Sequence, residues 1–165
     1  MSRAIRFAGR TVGPGHPALI VAEMSANHGR SLEHAERVLR AAKDAGADAV
    51  KIQTYTPDTM TLDLARPPFT VEMAGPWRDR TLYDLYAEAH TPWEWHPRLK
   101  AVADSLDLPL FSTPFDGAAV DLLDALGVPA LKIASFELVD LDLVARAART
   151  GRPLIVSTGM ASLAL

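Results

Sequence analysis

The sequence predicts a parallel α/β fold assembled from repeated strand–helix units, and two observations carry that reading. Short apolar runs recur at residues 18–22, 49–52, 109–111, 130–134 and 153–156, and each is nearly continuous rather than alternating. Strands covered on both faces read this way, as in a parallel sheet packed under helices. In addition, Thr113, Ser135 and Ser157 each follow an apolar run and stand 22 residues apart. That is the length of one strand–helix unit in a (β/α)₈ barrel or an open doubly wound sheet. The spacing alone does not separate the two.

Taken in order, the first run leads to Ser31, which is placed to cap a helix whose Leu32, Ala35, Val38, Leu39 and Ala42 share one face and which ends at Gly46. The second run is followed by a long insert, residues 56–95, with Arg66-Pro67-Pro68 and a short helix carrying Leu82, Leu85, Tyr86 and Ala89. Long loops after barrel strands cover active sites. Thr91-Pro92-Trp93-Glu94 reads as a capping box with proline in the first helical position, and Pro97 then demands a kink or a restart. After the third run, Asp116 precedes Val120, Leu123 and Leu126, ending at Gly127. After the fourth, Asp140 precedes Leu143, Val144 and Ala147, ending at Gly151. A complete barrel takes about 250 residues, so 165 residues with five strand candidates read, taken alone, as an incomplete barrel.

Composition narrows the function classes. With 48% hydrophobic residues the chain can bury a core, and a net charge of -3 offers neither a nucleic-acid surface nor a polybasic membrane patch. Cysteine is absent, which removes disulfides and thiolate metal sites and fits a reducing cytoplasm. Residues 1–10 alternate arginine with apolar side chains, and the run 18–22 is far too short to span a bilayer. The protein is expected to be soluble and cytoplasmic. No Walker loop, G-x-G-x-x-G, G-x-S-x-G or H-E-x-x-H occurs, and no histidine pair has metal-ligand spacing.

The polar residues are placed where chemistry is done. Glu23 follows the first run, Lys51 and Gln53 lie in and after the second, Ser112 and Thr113 follow the third, Lys132, Ser135 and Glu137 belong to the fourth, and Ser157 and Thr158 to the fifth. C-terminal strand ends converge on one face in parallel α/β folds. Two lysines, several hydroxyls and helix N-termini there are what a phosphate or carboxylate needs. Each lysine lies between apolar neighbours, Val50 and Ile52 or Leu131 and Ile133. Its side chain therefore points opposite to theirs, into a barrel if they face helices. The alternatives are a snorkelling lysine or one paired with a buried carboxylate, and Glu23 is a candidate for that partner. His28, which follows Asn27 in the loop after the first strand, either touches substrate or caps the next turn. Trp77, Trp93 and Trp95 read as core or lid packing rather than sugar stacking.

Ala22-Glu23-Met24-Ser25-Ala26-Asn27-His28, Lys51-Ile52-Gln53-Thr54, Phe111-Ser112-Thr113-Pro114-Phe115, Lys132-Ile133-Ala134-Ser135-Phe136-Glu137 and Ser157-Thr158-Gly159-Met160 occur in this order. Together they resemble the barrel domain of the bacterial sialic acid synthases, the N-acetylneuraminate synthase family, from Ile20 onward. Ala134, Phe136, the insert at residues 53–59 and the segment 81–95 resemble the branch that makes pseudaminic acid. The resemblance implies a (β/α)₈ TIM barrel, here truncated after about five βα units, with the later strands and a C-terminal antifreeze-like domain outside this chain. It implies a homodimer that joins phosphoenolpyruvate to an acylated open-chain amino sugar with Mn²⁺ or Mg²⁺, whose ligands lie beyond this chain. By position, Lys51, Thr113, Lys132, Ser135 and Ser157 would hold the phosphate and carboxylate of phosphoenolpyruvate. Glu137 would lie beside the attacked carbon, Glu23 and Gln53 would meet sugar hydroxyls, and Asn27 or His28 would line the same pocket. N-acetylneuraminate and legionaminic acid synthases, a Schiff-base aldolase using Lys132, and an inactive fragment are the competing readings.

Overall fold

The computed structural model describes residues 4–159, 161 and 162. It opens with a feature that the sequence reading lacks. Strands β1 (Ile5–Phe7) and β2 (Arg10–Val12) pair antiparallel around the two-residue turn Ala8-Gly9. Both turn residues have positive φ, 45° and 84°, the handedness a tight hairpin between right-twisted strands requires. Each strand is only three residues long, too short for an alternating pattern to register.

The chain then runs through β3 (Val21–Glu23), α1 (Leu32–Asp44), β4 (Ala49–Thr54), α2 (Pro57–Met60) and α3 (Leu82–Ala89). A 3₁₀ turn (Trp93–Trp95) leads into α4 (His96–Ser105), followed by β5 (Leu110–Pro114), α5 (Gly117–Ala125) and β6 (Leu131–Ile133). A second 3₁₀ turn (Glu137–Val139), α6 (Leu141–Arg149) and β7 (Leu154–Val156) complete the described elements. Strands β3 to β7 form one parallel sheet in the order β3-β4-β5-β6-β7. A doubly wound sheet reverses its strand order at a switch point, whereas a barrel adds each strand to the same side. The unbroken order is that of a barrel, here about half of one.

Capping follows the sequence closely at three helices. Ser31 accepts from the His34 N–H at 3.2 Å, Asp116 from Ala118 and Ala119 at 2.7 and 3.0 Å, and Asp140 from Leu143 at 3.0 Å. Asp116→Ala is expected to cost about 1 kcal/mol, read as a lower urea midpoint with an unchanged denaturant slope. Thr91 behaves otherwise. Pro92 has an extended backbone (φ -52°, ψ 134°) and is itself the N-cap of the 3₁₀ turn, so that turn starts one residue later than a capping box requires. The Thr91 hydroxyl is left buried without a hydrogen-bond partner among the described residues. Pro97 falls in the first turn of a helix that restarts at His96, where its missing N–H costs nothing.

Alternation along the strands divides the core in two. Val50, Ile52 and Leu110 pack with Leu39, Leu99 and Val102 of α1 and α4, while Leu131 and Ile133 pack with Val120, Leu123 and Leu143 of α5 and α6. The opposite face carries Ala49, Phe111 and Ala130, with Val21 and Ile155 against them. Phe7 of the hairpin closes onto that face, edge-to-face with Phe111 at 5.4 Å. The hairpin thus fills the N-terminal end of the concave side. Its C-terminal end is left to polar side chains.

Candidate functional site

Strand parity decides which polar residues meet. Glu23 is two residues beyond Val21, Lys51 two beyond Ala49, Thr113 two beyond Phe111, Lys132 two beyond Ala130, and Ser157 two beyond Ile155. All five therefore share the concave face one layer above the apolar plug. Register adds that Glu23 is opposite Lys51 and Gln53 opposite Thr113. Ser112, one residue out of phase, is turned to the helices. There it joins a buried cluster with Thr54 (2.7 Å), which in turn meets His96 Nε2 at 2.8 Å. Its hydroxyl is thereby removed from the concave site.

Lys51 forms an ion pair with Glu23, and the other Glu23 oxygen accepts from the Ser25 backbone N–H (3.1 Å) and hydroxyl (3.0 Å). Glu23 therefore orients Lys51 and holds the turn after β3, which was one of its two readings. Among the described residues, Lys132 has no carboxylate in contact. Its ammonium donates to the Ile133 carbonyl at 3.0 Å and the Ser157 hydroxyl at 2.6 Å, which leaves one of its three N–H bonds without a partner among the described residues. Burial lowers the Lys132 pKa, and the Lys51 ammonium lowers it further; Glu137 and Glu23 oppose both effects. The two cations and two carboxylates are thus close enough to act on one another.

Glu137 lies in the 3₁₀ turn after β6, and its Oε2 is buried without a hydrogen-bond partner among the described residues. A carboxylate oxygen in that state is costly unless a ligand or water reaches it. Ser135 lies beside the β7 loop, its Cβ 3.6 Å from where a side chain on Gly159 would begin. Thr113 is buried at the centre of the face. The geometry therefore gathers Glu23, Lys51, Lys132, Glu137, Ser157 and Thr113 at one strand end, with Ser135 at its rim.

The loop after β3 differs from expectation. His28 is fully buried, with its ring edge-to-face on Trp95 at 5.5 Å. One ring nitrogen meets the Ala89 carbonyl (3.2 Å), and the other accepts from the Arg30 N–H (3.2 Å). Both its nitrogens are bound to backbone, and burial lowers its pKa. It ties the β3 loop to the end of α3. The Asn27 amide donates to the Met24 carbonyl at 2.9 Å, so Asn27 likewise holds the turn.

Gln53, opposite Thr113 on the concave face, also lines a cavity of about 670 Å³. Tyr55, Trp77, Tyr86 and Phe115 supply aromatic walls, with Arg30 and Glu88 as the charged members. Much of it is built by the insert. Of these aromatic and charged residues only Trp77 was weighed individually in the sequence, as core or lid packing. The one signal for Tyr55 was its place directly after the β4 strand end.

The profile of the NeuB family matches residues 38–164. The chain belongs to the NeuB family. It is 51% identical over 146 residues to the pseudaminic acid synthase of Helicobacter pylori, covering 88% of this chain and 43% of that protein. It is 47% identical over 143 residues to the pseudaminic acid synthase of Campylobacter jejuni, covering 87% and 41%. The crystal structure of an N-acetylneuraminic acid (sialic acid) synthetase from Leptospira borgpetersenii, solved with citrate, superposes with a TM-score of 0.81 at 29% identity, over 99% of this chain and 52% of that one. The chain thus spans less than half the length of the two synthases it matches.

The resemblance drawn from the sequence implies a divalent ion as cofactor. Among the described residues no three His, Cys, Asp or Glu side chains converge on a point able to hold one. The residues present do not fit a metal site by themselves. No described helix is long and apolar enough to cross a membrane.

Proposed function

We propose that the protein condenses phosphoenolpyruvate with an N-acetylated amino sugar, 2,4-diacetamido-2,4,6-trideoxy-altropyranose in its open-chain form, giving pseudaminic acid and phosphate. The observation that carries this reading is the pair Lys51 and Lys132 on one concave face with the unpartnered Glu137 carboxylate oxygen beside them. Phosphoenolpyruvate brings a phosphate and a carboxylate. The uncommitted Lys132 N–H and the Thr113, Ser135 and Ser157 hydroxyls supply donors for it, and Lys51 adds charge held in place by Glu23. Carbon 3 attacks the sugar aldehyde, forming the C–C bond while the aldehyde oxygen takes a proton. Positive charge develops at carbon 2, water adds there, and phosphate leaves with the bridging oxygen. Glu137 faces that developing charge and takes the proton of the incoming water. The reaction is placed in the cytoplasm, where phosphoenolpyruvate is made.

The test is phosphate release by the full-length gene product, with Mn²⁺ or Mg²⁺ supplied, on pseudaminic, legionaminic and N-acetylneuraminic precursors. The 2,4-diacetamido-altrose precursor is expected to turn over fastest. Preference for either other precursor would move the assignment to that synthase, and no release with any of them would end it. One observation favours an aldolase instead, the lowered pKa of Lys132, since Schiff-base lysines need one. Borohydride with a keto substrate is expected to leave Lys132 unmodified, because the condensation forms no imine; covalent trapping would reverse the choice.

A further inference from the structure

The cavity that adjoins the cationic cluster is not needed to hold phosphoenolpyruvate, and its chemistry is different. Tyr55 is 4% exposed, its ring set edge-to-face against Tyr86 (5.7 Å) and Phe115 (5.4 Å). This aromatic corner begins one residue beyond β4, whose Gln53 reaches the cluster side. Helix α3 contributes Tyr86 and Leu85, and Trp77, 61% exposed, forms an outer wall. The insert is held in place from behind. His28 bonds the Ala89 carbonyl, and the Trp93 indole N–H donates to the Tyr55 carbonyl at 3.2 Å. The cavity is therefore a supported, largely apolar chamber that meets the concave face at Gln53, opposite Thr113.

Away from Arg30, Glu88 and Gln53, the aromatic walls have little to offer a chain of hydroxyls, each of which would lose water without a partner. They suit methyl groups and the flat faces of amides. We propose that this cavity sets acceptor choice by receiving the substituent-bearing end of the sugar. The acetamido group farther from the aldehyde packs on Tyr55 and Tyr86, the deoxy methyl packs on Leu85 and Trp77, and Gln53 meets the hydroxyls nearer the reacting carbon. Tyr55 is a donor there at any working pH, because burial and the Tyr86 phenol push its pKa up to about 12. This inference rests on the condensation proposed above and adds which residues select the acceptor. A methyl-sized difference in an apolar pocket is worth roughly 10- to 200-fold, and an added hydroxyl is rejected by about 10²-fold.

The experiment compares the full-length gene product with Trp77→Ala and Tyr86→Ala on the diacetamido-trideoxy acceptor and on N-acetylmannosamine, with phosphate release as the readout. Each variant is expected to lower the preference for the first acceptor by about tenfold or more, through its KM, while the KM for phosphoenolpyruvate stays within twofold. Unchanged preference in both variants would overturn the inference while leaving the condensation standing. No phosphate release with any acceptor would instead remove the condensation itself. Trp77 is exposed, so its variant is expected to fold even if Tyr86→Ala does not. Saturation-transfer NMR gives a reading that needs no turnover. Saturation of the aromatic protons is expected to appear most strongly on the acetamido and deoxy methyl protons, and strongest transfer to the protons around the aldehyde carbon would contradict the placement.

Discussion

Lys132→Met is expected to lower kcat/KM for phosphoenolpyruvate by roughly 10²- to 10³-fold, as removal of a single preorganised donor does in sites where charge develops, while leaving the protein folded. The two effects separate for a physical reason. The Lys132 ammonium is partly desolvated, and its contacts are a hydroxyl and a carbonyl rather than a carboxylate. A methionine of similar length removes the desolvation cost without stranding a charge in direct contact. The pH dependence has a defined sign. Burial, with Lys51 adding to it, lowers the Lys132 pKa from 10.5 in the folded chain. In the window between the lowered value and 10.5 the unfolded chain binds more protons than the folded one, so the Lys132 contribution to stability rises with pH there. Phosphoenolpyruvate capture moves the other way, because the ammonium is lost across the lowered pKa. The alkaline limb of kcat/KM is therefore expected below the ordinary lysine range in wild type and absent from Lys132→Met. A limb that persists unchanged in the variant would assign it to another group.

Glu137→Gln is expected to lower kcat by about 10²-fold or more, with a KM for phosphoenolpyruvate that is unchanged or smaller. A carboxylate near two lysines opposes binding of an anion in the ground state and stabilises a cation that exists only later. Removing its charge should therefore ease capture and slow the chemistry. The substitution keeps shape, and it places an amide where a buried carboxylate oxygen now lacks a partner, so loss of stability is not expected. Steady-state kinetics on both substrates read the split. A rise in KM at constant kcat would make Glu137 a binding group only.

The charged face was legible in the sequence because strand parity is a local property. Lys51 and Lys132 each lie between apolar residues that pack under helices, which forces both ammonium groups to the other side. The caps at Ser31, Asp116 and Asp140 were legible for a similar reason, since a cap needs only its own side chain and the next three residues. The hairpin was not, because what fixes it is Phe7 packing on Phe111, about a hundred residues away. His28 shows the same limit. Its sequence position admits a ligand role, but the Ala89 carbonyl and Trp95 ring that claim it come from the insert. The aromatic cavity belongs to this class in part: the β4–β5 register brings Tyr55 to Phe115, but Tyr86 joins them only once the insert has folded back.

The most direct measurement is calorimetric titration of phosphoenolpyruvate into the full-length gene product, beside Lys51→Met and Lys132→Met. If both ammonium groups serve a single anion, wild type takes up one molecule per chain, and each substitution weakens it by about 10- to 100-fold, the worth of one charge-assisted contact. Wild-type affinity in either variant would contradict the shared concave site on which the functional reading stands.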